Sequence, residues 1–286
     1  RMSQPPESEQ EFRILQVTRS GRQERDDQLA VEEPMEIRIV FGPSERRTGR
    51  SLSITMRTPD HDFELAAGFL LTEGVVTKRE QILDFEFCGE TAAGRARPNI
   101  VRVELDPNLE VQMQNLQRHF YTTSSCGICG KGSLDAIRAS GILPIESSWT
   151  VPAEILYALP ERLREAQSVF QQTGGIHAAG LFEADGQLII QREDVGRHNA
   201  LDKLIGNRLL AGKLPVDQAL LVVSGRSSFE LVQKAATARF PIMISVGAPS
   251  SLAVDLADEF GITLVGFASQ ERFNVYTHAD RIATAG

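Results

Sequence analysis

Cys126 and Cys129 stand two residues apart in "YTTSSCGICGKGSLDAIRASG", residues 121–141. A dithiol at that spacing can help to hold zinc, shuttle electrons, or carry sulfur as a persulfide. Structural zinc needs four ligands, usually a second cysteine pair or two closely spaced histidines. The remaining cysteine, Cys88, lies far upstream, and no two histidines are three to five residues apart. The H-x-E and P-C-x-x-C pattern of zinc deaminases is also missing. Zinc is left short of ligands, so no metal is expected, and a zinc-stabilised nucleotide-binding module is kept only as the weakest reading.

The pair suits thiol chemistry better. It precedes "GKGSLDAI", where Ser133 is a natural helix N-cap and Lys131 adds a positive charge. A helix start and a nearby cation both lower a thiol's pKa and raise its thiolate fraction. The stretch "TTSSCGICGKGS" is rich in Gly and Ser, and residues 121–133 read as a mobile loop. Electron shuttling requires a held geometry, whereas carrying sulfur between two sites requires reach, so the loop favours sulfur transfer. In that chemistry one thiolate accepts a sulfane sulfur. The second thiol then attacks the persulfide, releases the sulfur and forms a disulfide.

A second group of residues could hold an anion. "SGRSSFE" (224–230), "VGAPSSLA" (246–253) and "GFASQERFN" (266–274) each follow an apolar run. Ser224, Gly225, Arg226 and Ser227 in the first, Gly247 in the second and Arg272 in the third provide what a phosphate needs. These are small residues, free backbone N–H groups and guanidinium charge. Plain helix capping would explain any one corner, while three on one sheet edge point to a nucleotide. None is a Walker loop or a dinucleotide glycine fingerprint. His177 in "TGGIHAAG" and His198 in "REDVGRHNALDK" are further candidates, with a hydrogen-bonded structural histidine as the alternative for each. His198 and Asp202 are four apart and could pair on a helix face, and the charge packed around Gly196 reads as part of a pocket wall.

These residues need a scaffold. Short β-type runs place strands at 12–19, 34–42, 50–58, 85–88 and 99–106, and the third shows a two-residue alternation. In the third, Leu52, Ile54 and Met56 should face one way and Ser51, Ser53 and Thr55 the other. Thr58-Pro59-Asp60 should open a helix that stops near Gly74. Residues 1–11 are expected to be a disordered tail and 12–120 a mixed α+β subdomain. Residues 134–286 alternate: helix 152–170, a hairpin about Asp185-Gly186, helix 196–212, strand 218–225, helix 227–240, strand 241–247, helix 249–261 and strand 262–267. Apolar strands between helices imply a parallel α/β layer covered on both faces.

Across 286 residues, 38 acidic against 30 basic side chains leave a net charge of −8. That balance argues against coating nucleic acid or an anionic membrane. No apolar run reaches transmembrane length, and "RMSQPPESEQEFR" lacks the apolar segment of a secretory signal. Three cysteines do not make a disulfide framework. The expectation is a cytoplasmic protein with reduced thiols.

"SSCGICGKGSLDAI", "TGGIHAA", "REDVGRHNALDKLIG", "LVVSGRSSFELVQKA" and "TLVGFASQERFNVYTH" follow one another in a recognisable order. Over about residues 30–282 the chain resembles the FdhD family, the formate dehydrogenase accessory sulfurtransferases. The resemblance implies a sulfurtransferase in which Cys126 carries the persulfide and Cys129 is its partner thiol. Sulfur would come from a cysteine desulfurase and go to the molybdenum cofactor, in its bis-molybdopterin guanine dinucleotide form, for the formate dehydrogenase apoenzyme. A guanine nucleotide would mimic that cofactor. The resemblance also implies a homodimer and a C-terminal cytidine-deaminase-like three-layer α/β/α domain. Its cofactor-contact segment corresponds to Phe267, Ala268, Ser269, Gln270, Glu271 and Arg272. The inner four differ from the Cys-Lys-Pro-Gly of better-known members, so contact there would fall to backbone groups, Phe267 and Arg272. A non-catalytic chaperone that only binds and docks the cofactor remains the alternative. Cys88 is expected to be a buried strand cysteine.

Overall fold

The computed structural model describes residues 8–89, 98–111 and 141–284. Cys126, Cys129 and the expected loop at 121–133 lie outside them.

In the N-terminal half, β3 (Glu33–Phe41), β4 (Thr48–Arg57), β5 (Ile82–Cys88) and β6 (Ile100–Leu105) form one sheet in the order β4-β3-β6-β5. Alternation builds it: Met35, Ile37 and Ile39 are buried, while Glu36 and Arg38 between them pair at 2.9 Å on the open face. The expected facing of β4 is only half right. A bulge opposite Ile37 and Arg38 shifts the phase after Leu52, leaving Ile54 69% and Met56 46% exposed. The same shift turns Arg57 inward, where it is 1% exposed and grips both carboxylate oxygens of Asp62 at 2.9 and 3.1 Å.

Helix α1 (Asp62–Thr72) starts later than Thr58-Pro59-Asp60 suggests. Thr58 is taken by a tertiary contact instead: its N–H donates to Asp194 and its Oγ1 accepts from the Val195 N–H. Asp60 and His61 make the entry turn at φ 105° and 55°. The helix ends as expected, with Gly74 at φ 71°.

The C-terminal half carries a six-stranded sheet of β8 (His177–Phe182), β9 (Leu188–Asp194), β10 (Leu220–Val223), β11 (Ile242–Ser245), β12 (Thr263–Gly266) and β13 (Asn274–Val275), in the order β13-β12-β11-β10-β8-β9. β10, β11 and β12 are parallel; β8, β9 and β13 each run antiparallel to their neighbour. Helix α2 (Ala153–Ala166) covers one face, packing Leu156, Leu159 and Leu163 with Phe182, Val222 and Ile244. Helices α4 (Arg197–Leu210), α5 (Phe229–Thr237) and α6 (Ser251–Glu259) cover the other, against Leu181, Leu221, Met243 and Leu264. This second core runs on through α1 into the N-terminal sheet. At the α1–α4 crossing the backbones touch: a Cβ on Gly206 would meet the Glu64 carbonyl oxygen at 1.8 Å.

Two further regions depart from expectation. Helix 152–170 is broken at Gln167, and a short α3 (Ser168–Thr173) follows, its Val169 and Phe170 N–H groups bonded to the Glu193 carboxylate. Strand β1 (Glu9–Thr18) takes in residues 9–11 of the expected tail and pairs with an unforeseen β2 (Gly21–Ala30). No alternation marks β2, "GRQERDDQLA", because most of this ribbon faces solvent. Two short strands, β7 (Val151–Pro152) and β14 (Ile282–Ala283), pair separately. Among the described residues no helix is long and apolar enough to cross a membrane.

Candidate functional site

The three corners lie together beyond the carboxyl ends of β10, β11 and β12, and antiparallel β8 brings His177 to the same end. Backbone bonds stitch the loops to one another. The Gly247 N–H donates to Gly225 O at 3.1 Å, and Gly247 O accepts from Phe267 N–H at 3.1 Å and from Ser245 Oγ at 2.9 Å. The Ser250 N–H donates to Ser227 O at 3.0 Å. Gly247 is required by packing, since a Cβ there would lie 2.8 Å from Arg226 Cγ. Ser224 closes the start of β8, its Oγ accepting from the Ala178 N–H at 2.9 Å. Phe267 turns the chain out of β12 at φ 53° and stands 42% exposed. Ser269 Oγ then accepts from the N–H groups of Glu271 and Arg272, folding 269–272 into a tight turn.

A cleft of about 720 Å³ opens between these loops and the α2–α3 break. His177, Ser224, Ala268, Ser269 and Gln270 line it, so five of the expected residues share one space. Phe267, Glu271 and Arg272 flank the segment without lining the cleft, and Gly225, Arg226, Ser227, Gly247 and His198 do not line it either. The opposite wall was not foreseen. Pro160, Leu163, Arg164, Gln167 and Phe170 come from the two helices, Gly174, Gly175 and Ile176 from the link to β8, and Val195 and Val246 from loops. At the rim Arg164 pairs with Glu161 at 2.7 Å. The lining is an apolar floor with a few convergent polar groups, the usual make-up of a small-molecule site.

The imidazole of His177 is held below its ordinary pKa, by burial first and then by the charges of Arg197 and His198, against the pull of Asp194. It is therefore neutral at pH 7 and can donate through one nitrogen and accept through the other. His198 does not pair with Asp202. Its Nε2 lies 2.9 Å from Glu230 Oε2, and that bond is the main cause holding the Glu230 carboxyl below its usual range. Asp202 is buried and bound instead to Lys234 Nζ at 2.9 Å and Thr72 Oγ1 at 3.0 Å. Burial pulls the Lys234 pKa down, yet Asp202 and Glu73 outweigh it and the net direction is up.

"REDV" forms little of the pocket wall. Arg192 pairs with Glu64 at 2.6 Å, Glu193 caps α3, and Asp194 forms a buried ion pair with Lys203 at 2.7 Å. Only Val195 of the four reaches the cleft. The density of charge reflects a buried seam against α1 and β4, which sequence spacing alone does not distinguish from a solvated wall. Cys88 is in β5 as expected but partly exposed, and its thiol pKa is pushed up, by burial first and then by Glu86.

A mixed α/β protein with a cleft outside the carboxyl ends of its parallel strands is the class this geometry defines. The FdhD/NarQ family model matches residues 31–283, and the chain belongs to that family. It is 48% identical over 274 residues to the Sulfur carrier protein FdhD of Streptomyces coelicolor, covering 95% of this chain and 94% of that protein. With the Sulfur carrier protein FdhD of Mycobacterium tuberculosis it shares 49% over 263 residues, covering 90% and 92%. A crystal structure from Desulfotalea psychrophila, described as a candidate formate dehydrogenase accessory protein, superposes with a TM-score of 0.74 at 26% identity, covering 97% of this chain and 100% of that one.

Proposed function

We propose that the chain is a sulfurtransferase that carries sulfur from a cysteine desulfurase to the molybdenum cofactor, as bis-molybdopterin guanine dinucleotide, for formate dehydrogenase. The observation that carries the reading is the cleft in which His177, Ser224, Ala268, Ser269 and Gln270 converge, in a chain matching sulfur carriers over nearly its whole length. The Cys126 thiolate attacks the outer sulfur of the desulfurase persulfide; a new S–S bond forms there and the desulfurase thiolate leaves. Cys129 then attacks Cys126 Sγ, which forms the Cys126–Cys129 disulfide and releases the outer sulfur as sulfide to the cofactor. Cellular thiols restore the dithiol. In this reading Phe267–Arg272 and the corners at 224–227 and 247 bear on the guanine dinucleotide end, which is substrate here.

The partners are the desulfurase, the formate dehydrogenase apoenzyme and a second copy of this chain, in the cytoplasm. The sheet order, with β8 antiparallel between β9 and β10, supports a cytidine-deaminase-like α/β/α unit over 134–286 behind an α+β unit over 12–120.

The test is the mass of the full chain before and after incubation with a cysteine desulfurase and cysteine. The expected result is a gain of one sulfur, lost on reduction and absent in Cys126→Ala. No gain in the wild type overturns the carrier. Cofactor binding without that gain would leave a chaperone instead.

A further inference from the structure

The ribbon of β1 and β2 stands apart from both large sheets. Its strands pair with each other, and no other described strand pairs with either outer edge. Each strand is ten residues long, and β1 leaves Phe12, Leu15 and Val17 exposed at 43%, 54% and 71%. A two-stranded ribbon is marginal in water, and a stable sheet takes three or more strands with an apolar face. This ribbon has the length and the apolar side chains for a larger sheet but not the strands.

Its two edges are built differently. β2 is the strand that packs against α3, and five of its six residues at 22–27 are charged. A row of charge keeps an edge from accepting another strand. β1 has three charged residues, Glu9, Glu11 and Arg13, among the apolar Phe12, Ile14, Leu15 and Val17. It is the edge suited to pairing.

The sequence of β1 also matches itself. A two-fold axis normal to the sheet sets the same strand of a second copy antiparallel, with one residue facing its own counterpart at the centre. A centre at Arg13 would oppose two guanidinium groups, which is unfavourable. Centres at Ile14 or Leu15 set Glu11 and Arg13 against uncharged residues. A centre at Phe12 stacks the two phenylalanines and sets Glu11 opposite the second copy's Arg13, twice over, with no like charges facing. In β2, by contrast, every centre from Glu24 to Asp27 opposes a charge to itself. Glu11 and Arg13 are only lightly held within their own ribbon. Glu11 accepts from Gln28 Nε2 at 3.2 Å, and Arg13 reaches Glu24 at 3.1 Å with both side chains largely exposed. Such exposed contacts are weak and can be exchanged for a partner's.

We propose that the outer edge of β1 pairs antiparallel with β1 of a second copy, centred on Phe12, to make a four-stranded sheet. This names the surface for the second copy in the function proposed above, and it rests on that reading. Because β2 packs against α3, whose Phe170 lines the cleft, the joined sheet would back one wall of each cleft.

Sedimentation equilibrium of the full chain measures the dimer, and cross-linking locates it. Glu11→Arg faces two arginines at each end of the centre and should weaken the dimer by about tenfold or more. Adding Arg13→Glu restores opposite charges and should recover most of that loss. Within its own ribbon Glu11 bonds only the neutral Gln28 amide among the described hydrogen bonds, so Glu11→Arg strands no buried charge. For cross-linking, Phe12→Cys is placed in a chain carrying Cys88→Ser, Cys126→Ser and Cys129→Ser. Under a copper–phenanthroline oxidant it should form a covalent dimer, because directly opposite Cα atoms lie about 4.5–5.5 Å apart, within disulfide reach. Val17→Cys in the same chain, five residues from the centre, should not. A dimer indifferent to Glu11→Arg, no recovery in the double variant, or cross-linking by Val17→Cys and not by Phe12→Cys overturns the β1 edge while the second copy stands. A wild-type chain that is monomeric at every concentration tested overturns both.

Discussion

Gly206→Ala is the substitution whose cost can be worked most directly from the structure. The added methyl would lie 1.8 Å from the Glu64 carbonyl oxygen and 2.7 Å from the Gly68 nitrogen, where ordinary contact begins at 3.4 Å. Both neighbours are helix backbone, so neither can swing aside, and α1 must retreat from α4 by about 1.6 Å. That retreat stretches the Asn207–Glu64 bond at 2.8 Å and the Thr72–Asp202 bond at 3.0 Å beyond useful length. Overpacking of this kind costs about 1–3 kcal/mol and each lost bond about 1 kcal/mol, while alanine's helix propensity returns about 1 kcal/mol. The net is about 3 kcal/mol, which for a chain of this size lowers Tm by roughly 6–12 °C.

Thermal unfolding followed by circular dichroism measures it, with Gly49→Ala as the control. Gly49 is also a glycine within a regular element, but its nearest neighbour would be 4.0 Å away, and its substitution should stay within about 0.5 kcal/mol. A Gly206→Ala protein melting within two or three degrees of wild type, by the same scale, would mean that the helices do not meet backbone to backbone. The reasoning would then be wrong at its first step.

Two other outcomes follow from buried charge. Lys203→Met leaves the Asp194 carboxylate buried without its cation at 2.7 Å and should cost about 3–5 kcal/mol in urea unfolding, part of it recovered when Asp194→Asn is added. His177 has a folded pKa below its ordinary 6.5, so the unfolded chain binds the extra proton first and stability falls as pH drops below about 6.5. His177→Gln should flatten that part of the stability–pH curve, measured as urea midpoints between about pH 7 and pH 5.

How much of this is legible in the sequence depends on the range of the interaction. The strand–helix alternation after residue 218 and the hairpin at Asp185-Gly186 are written in local hydrophobic period and turn residues, and both are present. The corners are legible for the same reason, because small polar residues directly follow apolar strands. What escapes is decided by distant partners. Thr58 looks like a helix cap until Asp194 and Val195 are seen to claim it. The break at Gln167 is made by Glu193, and with it comes the Arg164 and Phe170 wall of the cleft. Ile54 and Met56 alternate correctly but face solvent, because one bulge reverses their phase. His198 and Asp202 have the right spacing to pair, yet each has a better-placed partner on α5.

The N-terminal sheet lines none of the cleft, yet it determines where the site residues sit. Val195 and His198 belong to one stretch, 194–199, at the turn from β9 into α4. Asp194 fixes that turn from within, accepting from Gly196 N–H and Asn199 Nδ2 at 2.8 and 3.0 Å. The other half fixes it from outside. Thr58 bonds Asp194 and Val195, Lys203 donates to Thr58 O at 2.9 Å, and Asn199 Nδ2 donates to Met56 O at 2.7 Å. These contacts are buried or nearly so, so little water competes for them and they hold a rigid turn. The N-terminal half therefore fixes the turn that carries Val195 into the cleft without lining the cleft itself.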